Sequence, residues 1–340
     1  MSALRILYLG TQSGTCLDRA RAYQRLGHHV THLDPRKLLP STGWTDRITW
    51  KVGGSFWAGY LLRQLKPVLS GQRFDLCHVD CGEWISADVI TLLRQHAGKV
   101  INYCIDDPTG PRDGRRFQAY RKALPFYDLA IVMREANVVE ATQLGARRVL
   151  RVFMSADEVT HAPRQTSPQQ IEPWHSDVLF LGTWMPERGP FLAELIERGI
   201  PLTIRGTHWQ KAPQWPVLKP CWKGGAVHGD DYAHALQGAR ISLGLLSQGN
   251  RDLHTTRSFE VPSLGSLLCA ERTTEHQFLY LEGKEAAFWN SARECADVCL
   301  DLLSNEPRRQ AMAQRGQNRF RHSGYVNERV LSHVLEVAFA

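Results

Sequence analysis

The chain has 340 residues, 43% of them hydrophobic, which is enough to fill two ordinary cores, and a formal net charge of +7. It contains no run of eighteen apolar residues, and Leu4–Leu9 enters a buried-strand pattern without a charged and then apolar leader, so neither a transmembrane span nor a secretory signal is expected. A cytoplasmic location is expected instead, and the positive excess suits a protein that handles anionic ligands or approaches acidic surfaces. The eight cysteines have no zinc-type spacing, with Cys77/Cys81 and Cys295/Cys299 the only close pairs, and they read as buried reduced thiols. Most of the ten tryptophans read as core.

In chain order, Leu4–Leu9 is a mostly apolar run that ends in Gly10-Thr-Gln-Ser-Gly-Thr15. A helical pattern over Leu17–Leu26 and a second strand, His29–Asp34, follow. Strand, small-residue loop, helix, strand is the opening of a doubly wound sheet, here without the full glycine fingerprint of a dinucleotide site. Pro40–Pro67 is an aromatic interlude holding Trp44 and Trp50; its spacing predicts a helix covering the sheet, with an acceptor-facing flap or a membrane-surface patch as alternatives. Three further strands are predicted over Phe74–Val79, Lys99–Ile105 and Leu129–Met133, alternating with helices as a parallel sheet requires, and Ala146–Phe153 reads as the last strand of this part.

Ligands of such sheets sit beyond the carboxyl ends of the strands. There the sequence places His78, Asp80 and the adjacent acids Asp106-Asp107, and two neighbouring carboxylates need cationic partners, for which Arg112, Arg115 and Arg116 are at hand. Pro163–Pro173 reads as a linker. Beyond it the opening recurs: strand Asp177–Leu181 into Gly182, a loop to Gly189, a helix over Pro190–Arg198 and a strand over Leu202–Gly206. Ile241–Leu246 is a further strand, and Ser291–Leu303, Arg308–Arg321 and Val326–Ala338 have helical spacing.

The segment most suggestive of a site is Asp252–Ala270. Its two acids, Asp252 and Glu260, are separated by seven residues, Thr255, Thr256 and Arg257 crowd a helix start, and an apolar strand, Leu267–Ala270, follows Gly265. A helix start with threonines and an arginine favours a phosphate. The segment resembles the donor-binding segment of two-domain nucleotide-sugar glycosyltransferases, and the wording Arg257-Ser-Phe-Glu-Val-Pro-Ser-Leu-Gly265 with Glu282-Gly-Lys-Glu-Ala286 is similar to the spore-maturation (CgeB-type) branch. Asp252 stands where that pattern has Glu. The loop Gly182-Thr-Trp-Met-Pro-Glu-Arg-Gly189 resembles the same family's Gly-Arg-x-x-x-Glu-Lys-Gly, with Arg188 at the Lys position and Thr183 in place of the Arg.

The resemblance covers essentially the whole chain and implies the GT-B fold, an α/β architecture of two Rossmann-like doubly wound domains facing a cleft. The implied division is residues 1–162 as the acceptor domain, 174–324 as the donor domain, and a C-terminal helix, 325–340, returning to the first domain. It implies transfer of a sugar from a nucleotide-diphosphate sugar, a UDP-sugar being the expected donor, to an acceptor hydroxyl on a glycan, a protein or a modified DNA base. No metal or resident cofactor is implied, and the paired-acid pattern implies retention of configuration. In this reading Gly182, Thr183, Arg188, Thr255, Thr256 and Arg257 hold the diphosphate, Glu260 the ribose, and backbone groups near Val227 the base. Asp252 orients the sugar, and Asp106, Asp107, Asp80 or His78 act from the other domain. A nucleotide-sugar epimerase of the same architecture and a non-catalytic nucleic-acid-binding protein are the alternatives.

Overall fold

A computed structural model describes residues 2–40 and 53–340. Among these the chain forms two compact units, the first comprising Met1–Phe153, Gly249–Arg251 and Asn327–Ala340, the second Met154–Gln248 and Asp252–Val326. The stretch Pro163–Pro173 lies inside the second unit and includes a one-turn helix, Pro168–Ile171, closed by a Ser167–Gln170 capping box.

The first unit is built on a six-stranded parallel sheet of β1 (Arg5–Leu9), β2 (His29–Leu33), β3 (Phe74–Asp80), β4 (Ala97–Cys104), β5 (Leu129–Val132) and β6 (Val149–Arg151), in the order β2-β1-β3-β4-β5-β6. β1 and β3 are buried almost throughout because both of their faces are covered. One cover is the helix Ala58–Leu69, which turns Leu61, Leu65 and Leu69 into the core at helical spacing against Leu7, Leu9 and Val79. The aromatic interlude is thus a cover helix from Ala58 onward, while Trp44 and Trp50 lie outside the described residues. On another face the C-terminal helix Asn327–Phe339 packs on the helix Gly14–Arg25, with Arg25 and Glu328 paired at 2.5 Å.

The second unit has a five-stranded parallel sheet of β7 (Ser176–Leu181), β8 (Leu202–Arg205), β9 (Ala239–Gly244), β10 (Leu267–Glu271) and β11 (Ala287–Trp289), ordered β11-β10-β9-β7-β8. β11, three residues long, is too short to give a sequence pattern and was not expected. The core of this unit joins Phe180, Ile204 and Trp209 on one side to Cys269, Cys295 and Cys299 on the other. Five of the eight cysteines, Cys77, Cys104, Cys269, Cys295 and Cys299, are buried in strands or helices, and all eight are free thiols. No described helix is long and apolar enough to cross a membrane. In both sheets the strand order reverses beside the first strand of the unit, between β1 and β3 and between β7 and β9, and each reversal opens a crevice at the strands' carboxyl ends.

Candidate active site

In the first unit the crevice is a cavity of about 280 Å³ at the ends of β1 and β3, bordered by Gly10, Asp80, Glu83, Trp84, Asp106 and Arg116. Asp80 forms its floor. The Arg19 guanidinium, from the helix after β1, bonds Asp80 at 2.8 Å, and the Tyr8 hydroxyl donates to the same carboxylate. Burial alone would raise the Asp80 carboxyl, but Arg19 overrides it and holds the group below the usual carboxylate range. Of the expected bases, His78 does not border this cavity. It is fully buried in β3, its ring stacked 4.6 Å from Tyr8 and its Nδ1 3.0 Å from the Tyr23 hydroxyl, and burial lowers its pKa to about 3. A base in that position has no access to a substrate.

The Asp106-Asp107 pair splits. Asp106 is half-buried at the cavity edge, with Arg116 at 3.4 Å, and Arg116 in turn holds Glu83 at 2.5 Å. Asp107 is 3% exposed and accepts from Gly110 N–H at 3.0 Å, Asn137 at 2.6 Å and both ends of the Arg251 fork at 2.7 and 2.8 Å. A Cβ at Gly110 would fall 2.2 Å from its Oδ2, so the turn itself is built around this carboxylate. Both Asp107 oxygens are thus engaged by internal donors, which makes this carboxylate an anchor of the fold. Arg251 also holds Glu140 at 2.7 Å and lowers that carboxyl to about 2. The sequence signalled that the acid pair needed cations but pointed to neighbouring arginines. Arg116 is one partner, Arg112 pairs with Asp113 instead, and Arg251, 144 residues from Asp107, was invisible to local reasoning.

In the second unit, β7 runs into Gly182, whose N–H donates to Arg205 O at 3.0 Å and whose carbonyl accepts from Trp209 Nε1 at 3.0 Å. Gly206 comes so close that a Cβ there would lie 1.9 Å from Gly182 O, which only glycine allows. Thr183 is exposed, its hydroxyl 3.1 Å from that of Thr207. Arg188 begins the helix Arg188–Glu197 and reaches back, donating to Thr183 O at 2.9 Å and Leu245 O at 3.2 Å. Its Nε is buried without a partner among the described residues, and burial holds the guanidinium below its ordinary range. An unmet buried N–H costs about 1–3 kcal/mol, so this arginine is poised for an added acceptor.

Glu260, expected at the ribose, has internal partners on both of its oxygens. It is 2% exposed; Tyr232 donates to its Oε2 at 2.6 Å, Arg257 donates to the same oxygen, and His161 Nε2 lies 3.5 Å from the other. Burial would raise its carboxyl, and Arg257 and His161 bring it below the usual range instead. The group offered to solvent is Arg257, held 4.9 Å over the Tyr232 ring with its side chain 26% exposed. Tyr232 and His161 had no sequence signal beyond being polar-tipped aromatics. The helix start is also less available than expected. The helix Arg257–Ser263 has seven residues, Thr255 N–H is taken by Ser258 Oγ at 3.1 Å, and Phe259 N–H by Thr256 O at 3.0 Å. The cationic side chains, not these amides, carry the positive field. Thr256 and Asp252 are half-buried at the same end, Asp252 close enough for its charge to act on Arg188, and Val227 is half-buried in the loop before the helix Gly229–Gln237.

A second, smaller cavity of about 150 Å³ adjoins Arg188 beyond the ends of β9, β10 and β11. Glu187, Phe191, Glu271 and Trp289 border it.

Residues 188–336 match the model of a family described as glycosyl transferase-like. Among curated proteins no sequence match is found. The fold is similar to that of sucrose-phosphate synthase from Thermosynechococcus elongatus, with a TM-score of 0.74 at 12% identity over 98% of this chain and 99% of the other. It is also similar to HepE from Anabaena, solved in complex with UDP-glucose, with a TM-score of 0.67 at 11% identity over 98% and 100%. A glycosyltransferase from Rickettsia africae gives 0.61 at 11% identity over 99% and 98%. At these identities the likeness is one of fold, and the family match is to the broad family and not to its spore-maturation branch. The chain thus has the GT-B fold, two Rossmann-like units with the C-terminal helix belonging to the first, and its residues 188–336 match a glycosyl transferase-like family model.

Proposed function

We propose that the protein transfers a hexose from a UDP-sugar to an acceptor hydroxyl of a glycan, protein or modified nucleobase, without a metal and with retention of configuration. The observation that carries this reading is Arg188: a guanidinium at the switch point of a glycosyltransferase domain, bonded only to carbonyls and with one N–H unmet. A diphosphate supplies the missing acceptors, and an arginine fork binds it in two places. Arg257, set in position by Glu260 and Tyr232, is the second cation and stands in for the arginine that Thr183 replaces. As the glycosidic bond breaks, charge grows on the leaving diphosphate, and two fixed cations stabilise it as a metal would. Asp252 orients the sugar and groups near Val227 meet the base.

Retention is supported by the state of the acids. Asp80 and Asp107 are in ion pairs, His78 is enclosed, and Asp106 is held by Arg116, which leaves the departing phosphate as the group that takes the acceptor proton. Within the class, the wording of residues 257–286 supports the spore-maturation branch.

The test is to incubate the protein with UDP-hexoses and an acceptor panel, following UDP release and product mass and reading the anomer by NMR. Release of UDP with an α-linked product from an α-linked donor is expected. Isomerisation of the donor without any acceptor would replace transfer by epimerisation, and failure to bind UDP would overturn the reading.

A further inference from the structure

Among the described residues, one group of side chains with metal-ligand chemistry closes on a point, and sugar transfer makes no use of it: Cys269, Cys295 and Cys299. Residues four apart on a helix share a face, so Cys295 and Cys299, on the helix Ala292–Ser304, both meet Cys269 of β10. All three are fully buried. Their sulfurs lie within 4.8 Å of one another, and those of Cys269 and Cys299 are 3.9 Å apart. Three sulfurs bound about 2.3 Å from a common ion stand about 4 Å from each other. The cluster therefore needs only a small contraction to hold one.

The surroundings decide which ion belongs there. The group holds neither carboxylate nor imidazole, and it lies in the apolar core with Leu243, Leu267, Leu302 and Met312. Hard cations such as Mg²⁺ and Ca²⁺ take oxygen ligands, which the group does not offer. A structural zinc site takes four ligands, and three thiols leave it one short. A soft cation of single charge meets both limits. Thiolates select Cu(I), and a single positive charge is neutralised by one thiolate, which matters in a core where a net charge is costly. Apolar surroundings favour the protonated thiol, so the ion enters by displacing at least one thiol proton to solvent. One S–H bond breaks for each thiolate bond to the metal, and no electron changes hands.

We propose that Cys269, Cys295 and Cys299 form a site for one Cu(I) ion, which ties β10 to the helix Ala292–Ser304 inside the second unit. The site stands apart from the transferase reading and does not depend on it. Anaerobic titration of the reduced full chain with Cu(I), against a chromophoric Cu(I) chelator, tests it in the wild type, Cys295→Ala and Cys299→Ala. Cys81→Ser is the control, since Cys81 and Cys104 are a neighbouring thiol pair in the first unit. Because the site is enclosed, each protein is also refolded from urea with the ion present. The wild type and the control are expected to keep one equivalent, with thiolate-to-metal charge transfer in the near ultraviolet and a raised urea midpoint. Loss of either helix cysteine is expected to weaken binding by more than about a hundred-fold, beyond the cost of an outer-shell partner. X-ray absorption of the wild-type complex needs no substitution and is expected to show three sulfur neighbours. The proposal is overturned if the wild type retains no ion either folded or refolded, or if Cys81→Ser abolishes binding while the helix variants keep it. Fewer than three sulfur neighbours, or tighter binding of Zn(II) than of Cu(I), overturns it equally.

Discussion

The two crevices of the molecule use the same device and give it opposite fates. In each unit an arginine on the helix after the first strand reaches across the switch point to the end of the neighbouring strand: Arg19 from behind β1 to Asp80 at the end of β3, and Arg188 from behind β7 to Leu245 just past β9. Arg19 meets a carboxylate, with Tyr8 completing its shell, and the charge is cancelled inside the protein. Arg188 meets two carbonyls and keeps its full charge. A neutralised arginine holds a sheet together, whereas an unneutralised one in the same topological place attracts an anion. The difference turns on whether the facing strand ends in an acid or in an apolar residue.

If that contrast is right, Asp80→Ala is the most damaging substitution considered, because it leaves Arg19 buried beside Tyr8 with no counter-charge. A loss of about 3–5 kcal/mol in urea unfolding is expected, and a loss below about 1 kcal/mol would mean that Arg19 escapes to water. Asp107→Ala comes next, at about 2–3 kcal/mol, moderated because the Arg251 side chain is 34% exposed and keeps Glu140. Its neighbour Asp106→Ala should cost less than about 1 kcal/mol, so equal losses for the two would show that the acid pair is not divided as described. Arg188→Ala inverts the pattern, with stability changed by about 1 kcal/mol or less and UDP affinity reduced about thirty-fold, some 2 kcal/mol. A destabilised Arg188 variant that still bound UDP would erase the distinction between the two arginines.

The fold was readable because most strands buried on both faces carry apolar runs alternating with helices; ten of the eleven strands were expected, and β11, only Ala287–Trp289, is apolar but too short to stand out. Site chemistry was readable where it depends on residues close in sequence. Arg188 follows Gly182 by six positions, and Arg257 precedes Glu260 by three, so their association could be inferred. Which partner neutralises which charge was not readable, because Arg251 with Asp107, Tyr232 and His161 with Glu260, and Arg19 with Asp80 are joined only by the tertiary fold. For that reason Glu260 and Asp107 read in the sequence as ligand-facing acids, while the internal cationic partners each has in the fold went unread. The same limit applies to His78: its place at the end of a strand was legible, but its direction, into the tyrosine stack, was not.

Acid sensitivity offers the gentlest probe of the same contrast, since each unit encloses a histidine whose pKa burial lowers strongly. His78 is lowered to about 3 and His276, bonded to Ser258 at 2.8 Å, to about 4, in both cases chiefly by burial. An unfolded histidine takes up its proton near pH 6.5, while the folded one stays neutral until its own lowered value. Between those limits the unfolded state binds the extra proton, so stability falls as the pH is lowered, by about 1.4 kcal/mol per pH unit for each histidine. The window runs from 6.5 to about 3 for His78 and from 6.5 to about 4 for His276. Urea unfolding of wild type, His78→Phe and His276→Phe at pH 7, 6 and 5 should show each variant with a shallower slope, whatever its absolute stability. The slope removed by His78→Phe belongs to the first unit and that removed by His276→Phe to the second. Parallel slopes in all three proteins would mean that neither ring is enclosed, and the tyrosine stack around His78 would then have to open to water, taking with it the buried floor on which Arg19 and Asp80 pair.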